Sequence, residues 1–285
     1  MKKKFTKALS YTVVFSAALA AFIITGIDEE AVKSRLESEA LQATGIELGI
    51  ETVNITLPAN LSIEGVDINH KNGTAVHFDK LKVRFLWSSL FTLSPAVRVS
   101  ANNGDGYIRA DVGAGRFGKG LTSIEISGEK FPIGKTLLKA GEFQLPFDAE
   151  INIKNGRVEI AGGIEKSSGL LELSVENFTA KEGVGGASFL EMVKPESVFC
   201  AIEIKSGVLS TKNCGLAASA ISVEVTVSSR LKPIIENTPL TGVLVVKPVD
   251  QMLKSLLMIY SKYKKKDGSY HFPLRGTFGR PRLPL

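Results

Sequence analysis

A mainly β fold, an antiparallel meander forming a curved groove or a sandwich, is predicted by three observations. Apolar and polar residues alternate in many short runs, turn residues separate those runs closely, and no strand–helix alternation appears. Alternation describes strands with one buried and one wet face, and short turns join such strands antiparallel. An N-terminal transmembrane helix and one or two short accessory helices complete the prediction.

The chain opens with Lys2, Lys3, Lys4 and Lys7, followed by residues 8–27, a run of 20 without a charged side chain. At about 1.5 Å per residue this run crosses roughly 30 Å, the hydrocarbon thickness of a bilayer. The lysines in residues 1–7 read as a cytoplasmic topology signal, which sends everything after the span to the far side of the membrane. Ala18-Leu19-Ala20 also fits a processing site, so a cleaved leader is the alternative; the apolar run continues through Phe22-Ile23-Ile24 and favours a retained anchor. Residues 28–44 carry helical periodicity. Ala31, Val32, Leu36, Ala40, Leu41 and Ala43 take one side, Lys33, Arg35, Glu37 and Glu39 the other, and Gly45 ends this amphipathic stem.

From residue 45 to 285 the period becomes two. Ile46–Ile50, Val53–Leu57, Leu61–Ile63, Val66–Ile68, Ile124–Ile126, Ile151–Ile153, Val158–Ile160, Leu171–Val175, Ile202–Ile204 and Ile221–Val227 all alternate. Lys71-Asn72-Gly73-Thr74 and Lys154-Asn155-Gly156-Arg157 read as Asn-Gly hairpins, with looser turns at Asn103–Gly106 and Ser206-Gly207. Two helices are expected, over 132–140 and over 248–263. In the second, Val249, Met252, Leu253, Leu256, Leu257 and Tyr260 share a face. The last residues read as one final strand that breaks at Pro281. So much one-sided strand with so little helix leaves two closures open, a sandwich or an uncovered groove.

Of 35 Lys and Arg, four lie in the topology signal, leaving 31 against 29 Asp and Glu, a balance that gives no reason for nucleic-acid binding. The remaining basic concentration, Lys262, Lys264, Lys265, Lys266, Arg275, Arg280 and Arg282, reads as a solvated face or as a contact for anionic lipid or an acidic partner. Cys200 and Cys214, beyond the membrane, read as one disulfide, with buried thiols as the alternative. No metal site or cofactor is expected, because His70, His77 and His271 lack ligand spacing to the cysteines. Gly113–Gly120 imitates a phosphate-binding loop. Gly120 stands where a hydroxyl is needed, however, and a strand follows where a helix is needed. No nucleophile–base pair stands out, so a non-enzymatic protein is expected. The aromatic run with Trp87, Leu90 and Phe91, and the helical residues Leu253, Leu256 and Leu257, are the candidate apolar groove or interface.

Taken together, the anchor, the run Leu61–Ile68, the run Leu81–Phe91, the Pro95–Ile108 segment with its Gly-Asp-Gly-Tyr-Ile turn, the cysteine pair and the closing Pro273–Leu283 run carry a likeness. The chain resembles protein N of the bacterial type II secretion system, and more distantly the AsmA-like inner-membrane proteins. It departs from the pattern at Phe147-Asp148-Ala149-Glu150, where a glycine-bearing strand start is expected. The resemblance implies a single-pass inner-membrane protein with a periplasmic β domain, whose partners are the inner membrane and other secretion subunits. The AsmA likeness implies the alternative, a curved β groove that handles lipid. It supplies no catalytic residues.

Overall fold

The computed structural model describes residues 28–44, 46–56, 60–69, 73–91, 93–115, 121–139, 147–181, 193–234, 237–278 and 280–282. The 8–27 span and Lys2, Lys3, Lys4 and Lys7 lie outside them. Among the described residues no helix is long and apolar enough to cross a membrane.

The chain forms a single antiparallel sheet. Its strands are β1 (Glu47–Thr56), β2 (Asn60–Asn69), β3 (Ala75–Phe85), β4 (Ala96–Asn103), β5 (Gly106–Gly113), β6 (Leu121–Pro132), β7 (Leu137–Lys139), β8 (Phe147–Ala161), β9 (Ser168–Ala180), β10 (Pro195–Lys205), β11 (Val208–Ala218), β12 (Ile221–Arg230), β13 (Gly242–Pro248), β14 (Tyr270–Thr277) and β15 (Arg280–Arg282). Each strand pairs with the next along the chain except β7, which leaves the path to pair with β3. The two end strands, β1 and β15, are not joined, so the sheet is open. The described strands form one continuous sheet, with no second sheet separate from it.

Turn chemistry explains much of the register. Ser206 and Gly207 both adopt positive φ, 48° and 71°, as a two-residue hairpin matched to strand twist requires. A side chain at Gly207 would stand 2.1 Å from the Glu165 carbonyl, so glycine is also needed for the close approach. Gly65 (φ 58°) breaks the alternation within β2. Ile63 and Val66, three residues apart, are both buried, as are Ile50 and Val53 opposite them on β1. A left-handed residue rotates the strand enough to turn both halves toward one core.

Hydrophobic residues are buried in two clusters, one at each end of the sheet. At the first, the helix Glu29–Thr44 lays Val32 and Leu36 against Ile50, Val53, Ile63 and Val66. Its Glu37 carboxylate accepts the Ile50 N–H at 3.0 Å, satisfying a donor that the edge strand β1 would otherwise leave open. The helix therefore packs on the sheet rather than standing off as a stem, and Ala31 and Leu41, expected on its apolar side, are exposed. At the other end, Ile221, Val246, Tyr270 and Phe272 are covered by Leu253, with Leu257, Tyr260 and Tyr263 packed alongside.

Several expectations are corrected. Lys154–Arg157 is no hairpin: it lies inside the 15-residue β8, where a bulge between Ile153 and Asn155 takes up the extra residue. Neither Asn155 nor Gly156 has the positive φ that a two-residue hairpin turn demands. The 132–140 helix shrinks to one turn, Ile133–Thr136, after which Leu137–Lys139 pair with β3. The 248–263 helix begins at Asp250, which caps it through the Met252 N–H (2.7 Å), and tightens to a 3-10 turn at Met258–Tyr263. Pro281 sits within β15 instead of breaking a strand, because β15 is an edge where a missing N–H costs nothing.

Candidate functional site

Cross-strand partners share a face, so the register shows which side chains line each side of the sheet. One row of partners reads Val83, Val99, Ala110, Ile126, Gly156, Leu171, Ile202, passing from β3 to β10. The row beside it reads Phe85, Val97, Val112, Ile124, Val158, Gly169, Ile204, Leu209. A third, Ile151, Val175, Val198, Leu216, Val223, Val246, Tyr270, continues into the C-terminal cluster. These rows form one apolar face running nearly the whole length of the sheet.

The face is covered only at its ends. Between β3 and β10 the buried hydrophobic residues, among those described, are Phe131 and Ala149, while Val193, just before β10, packs into the C-terminal cluster. Ile124, Ile126, Val158, Leu171, Leu173 and Ile202 are half-buried, and Val99 is exposed. Phe78 on β3 and Phe131 on β6 bring their rings to 6.3 Å past the end of the β4–β5 hairpin. Beyond the tip of the β4–β5 hairpin, Asn103 closes the gap between β3 and β7: its amide donates to the His77 carbonyl (3.1 Å) and to the Thr136 hydroxyl (2.9 Å). Backbone N–H and C=O groups are consumed by the ladders, so the apolar face offers methyl and methylene groups and little else.

The opposite face is charged and mostly self-compensated. Arg98 donates twice to Asp111, both at 2.7 Å, and that pairing holds the Asp111 carboxyl below the usual carboxylate range. Glu203 lies 2.7 Å from both Lys205 and Lys212, whose hydrogen bonds lower its pKa in the same way. On β3, the hydrogen bond that the His77 ring donates to the Asp67 carboxylate (2.8 Å), with Asp79 nearby, raises the His77 pKa. A cleft of about 330 Å³ on this side is lined by Arg98, Arg109, Asp111, Glu125 and Arg157, cations and carboxylates together. Among the described residues no cluster of His, Cys, Asp or Glu converges as a metal site.

The sequence-derived candidates are not brought together. Trp87 and Phe91 lie between β3 and β4. Trp87 is about half exposed, its ring edge-on to Phe85 at 5.0 Å, and Phe91 is 92% exposed. Leu90 lies in the same 3-10 turn, Trp87–Leu90. Leu253, Leu256 and Leu257 follow β13 at the far end of the sheet. There Leu253 is buried and Leu257 half-buried, while Leu256 turns outward. Cys200 and Cys214 form a disulfide across the β10–β11 pair, beside a register shift. His271 on β14 is half-buried, with Nε2 3.0 Å from the Ser269 hydroxyl. Gly113 ends β5 and Leu121 begins β6, and no helix follows the imitation phosphate loop among the described residues.

No family model, curated protein or solved structure matches the chain. The site therefore stands on its geometry. Reasoning from sequence missed Ile126, Leu171 and Ile202 as a surface. Their alternation was visible, but which strands sit side by side was not.

Proposed function

We propose that this chain is an exported, inner-membrane-anchored envelope protein whose sheet forms a groove for lipid acyl chains. The carrying observation is the continuous apolar face from β3 to β10, half-buried and left uncovered by the described residues. Chemistry selects the occupant. The sheet's backbone groups are already paired, so an extended peptide in the groove would strand its own amides, whereas an acyl chain has none to satisfy. Size agrees. Seven neighbouring strands at about 4.8 Å spacing give a groove of roughly 29 Å, more than the about 15 Å that one leaflet's chains occupy. The protein acts without covalent chemistry, as a carrier or conduit.

Photoactivatable acyl phospholipid supplied to cells making the full chain tests this reading. Adducts are expected on peptides holding Ile124, Ile126, Leu171 and Ile202. Adducts confined to residues 1–27, or none, overturn it.

A second reading keeps the chain as a periplasmic component of a type II secretion system. It is favoured by the Pro273–Leu283 run that carries the resemblance. That run supplies most of β14 and all of β15, the free edge of the sheet, where another subunit would add a strand. Deleting the gene and assaying exported enzymes in the medium tests it; unchanged secretion refutes it.

A further inference from the structure

The helix that closes the C-terminal end of the sheet has more apolar surface than the sheet covers. Leu253 is buried and Leu257 and Tyr260 pack on the cluster, yet Val249 (61% exposed), Met252 (61%), Leu256 (48%) and Ile259 (81%) face solvent. Met252 and Leu256 share a face of the helix Gln251–Leu257, with Val249 just before its cap and Ile259 in the 3-10 turn after it, so exposed apolar residues form a stripe beside the docked face. Lysines surround the stripe: Lys254, Lys262, Lys264, Lys265 and Lys266 are all exposed. Against them the segment from 249 to 268 holds two carboxylates, and both are committed locally. Asp250 caps the helix, and Asp267 accepts from the Ser269 hydroxyl and N–H.

We infer that this segment is a docking surface for an anionic bilayer, with the stripe entering the acyl boundary and the lysines resting among the headgroups. Apolar residues on a short helix flanked by lysines have the composition of an interfacial helix. Exposed Met252, Leu256 and Ile259 beside so many lysines favour a bilayer over a folded acidic protein, because a bilayer takes up apolar side chains and cations together without shape complementarity. The inner residues of the same helix pack on the last strands of the apolar face, so docking brings that end of the sheet to the membrane surface. The inference stands apart from groove occupancy: the helix docks whether or not the groove holds a chain.

The test reconstitutes the full chain in nanodiscs of purely zwitterionic lipid, or with about a third anionic lipid, and follows amide hydrogen exchange over 249–266. Stronger protection is expected on the anionic discs. Replacing Lys262, Lys264, Lys265 and Lys266 by glutamine should lower it about fivefold per lysine at low salt, and M252E/I259E should abolish it. All six positions are solvent-exposed, so the variants keep the fold. Equal exchange on both disc types, or protection that survives M252E/I259E, overturns the inference and leaves the lysines to an acidic protein partner. Lipid extracted from the same variants reports on the groove separately.

Discussion

A single carboxylate in the middle of the apolar face gives the sharpest test of the groove. Ile126 sits on β6 between Ala110 and Gly156, with half-buried Leu171 one strand further on. In Ile126→Asp the folded protein loses about half of a buried isoleucine's contribution, near 1 kcal/mol, and the new carboxylate still reaches water. A bound acyl chain fares worse. It must withdraw from about one strand's width, 4.8 Å, roughly a third of the about 15 Å that a chain spans in one leaflet. That third corresponds to about five methylenes, so up to about 4 kcal/mol of burial is lost at about 0.8 kcal/mol each. The fall in lipid retention is then several hundred-fold, or about thirtyfold if the chain bends around half of the gap. Ser127→Asp is the control, one residue along on the opposite face, opposite Arg109. Lipid extracted from equal amounts of the full-length parent and both variants is quantified by mass spectrometry. Equal lipid in all three, with equal melting temperatures, refutes the reasoning.

Four further outcomes are expected. Cys214→Ser lowers stability by about 3 kcal/mol under oxidising conditions and by little once the parent is reduced; calorimetry in both states checks it. Gly65→Ala places an L-residue at φ 58° with its Cβ 2.2 Å from the Glu51 side chain, costing about 1–2 kcal/mol of backbone strain, readable as a lowered denaturation midpoint. Asn103→Leu removes the amide shared by the His77 carbonyl and Thr136 and destabilises by about 1–3 kcal/mol, with faster exchange of β7 amides as its local signature. The raised His77 pKa stabilises the fold below the unfolded value near 6.5. That contribution disappears as pH rises through the folded pKa, so denaturation midpoints fall over that range in the parent and stay flat there in His77→Gln.

The period-two runs made strands legible wherever one side met water, and Ser206-Gly207 and Asn103–Gly106 marked true hairpins. The Asn155-Gly156 signal misled for a physical reason. Asn155 bonds across to Glu172 (2.6 Å), and Gly156 is needed where a Cβ would stand 2.8 Å from the Ile126 carbonyl, so the pair serves a bulge instead of a turn. The apolar stripe of 248–263 was legible, yet how much of it the sheet would cover was not. That depends on where β13 and β14 end relative to the helix, which only the fold determines. The same limit hid the long apolar face. Local alternation shows that Ile126 and Leu171 each have a dry side. Only the register through Gly156 makes them neighbours.

The contrast between covered ends and an uncovered middle bears on why such a sheet persists. Each half-buried Val, Leu or Ile forgoes about 1 kcal/mol relative to full burial, and the three rows across the middle hold more than a dozen. The total is comparable to the 5–15 kcal/mol by which a typical domain is stable. A core-forming protein would recover that energy by folding the sheet onto itself. Here the end strands β1 and β15 are unjoined and the middle rows stay half-buried, so that energy is left unrecovered by the described residues. The helix Glu29–Thr44 packs beside the edge strand β1 and Gln251–Leu257 covers the face at β12–β14, which leaves β15 as the open edge. An occupant recovers the forgone energy in proportion to the length it lays down, without breaking a ladder hydrogen bond. A flexible hydrocarbon that lies across successive strands meets that requirement along the whole face.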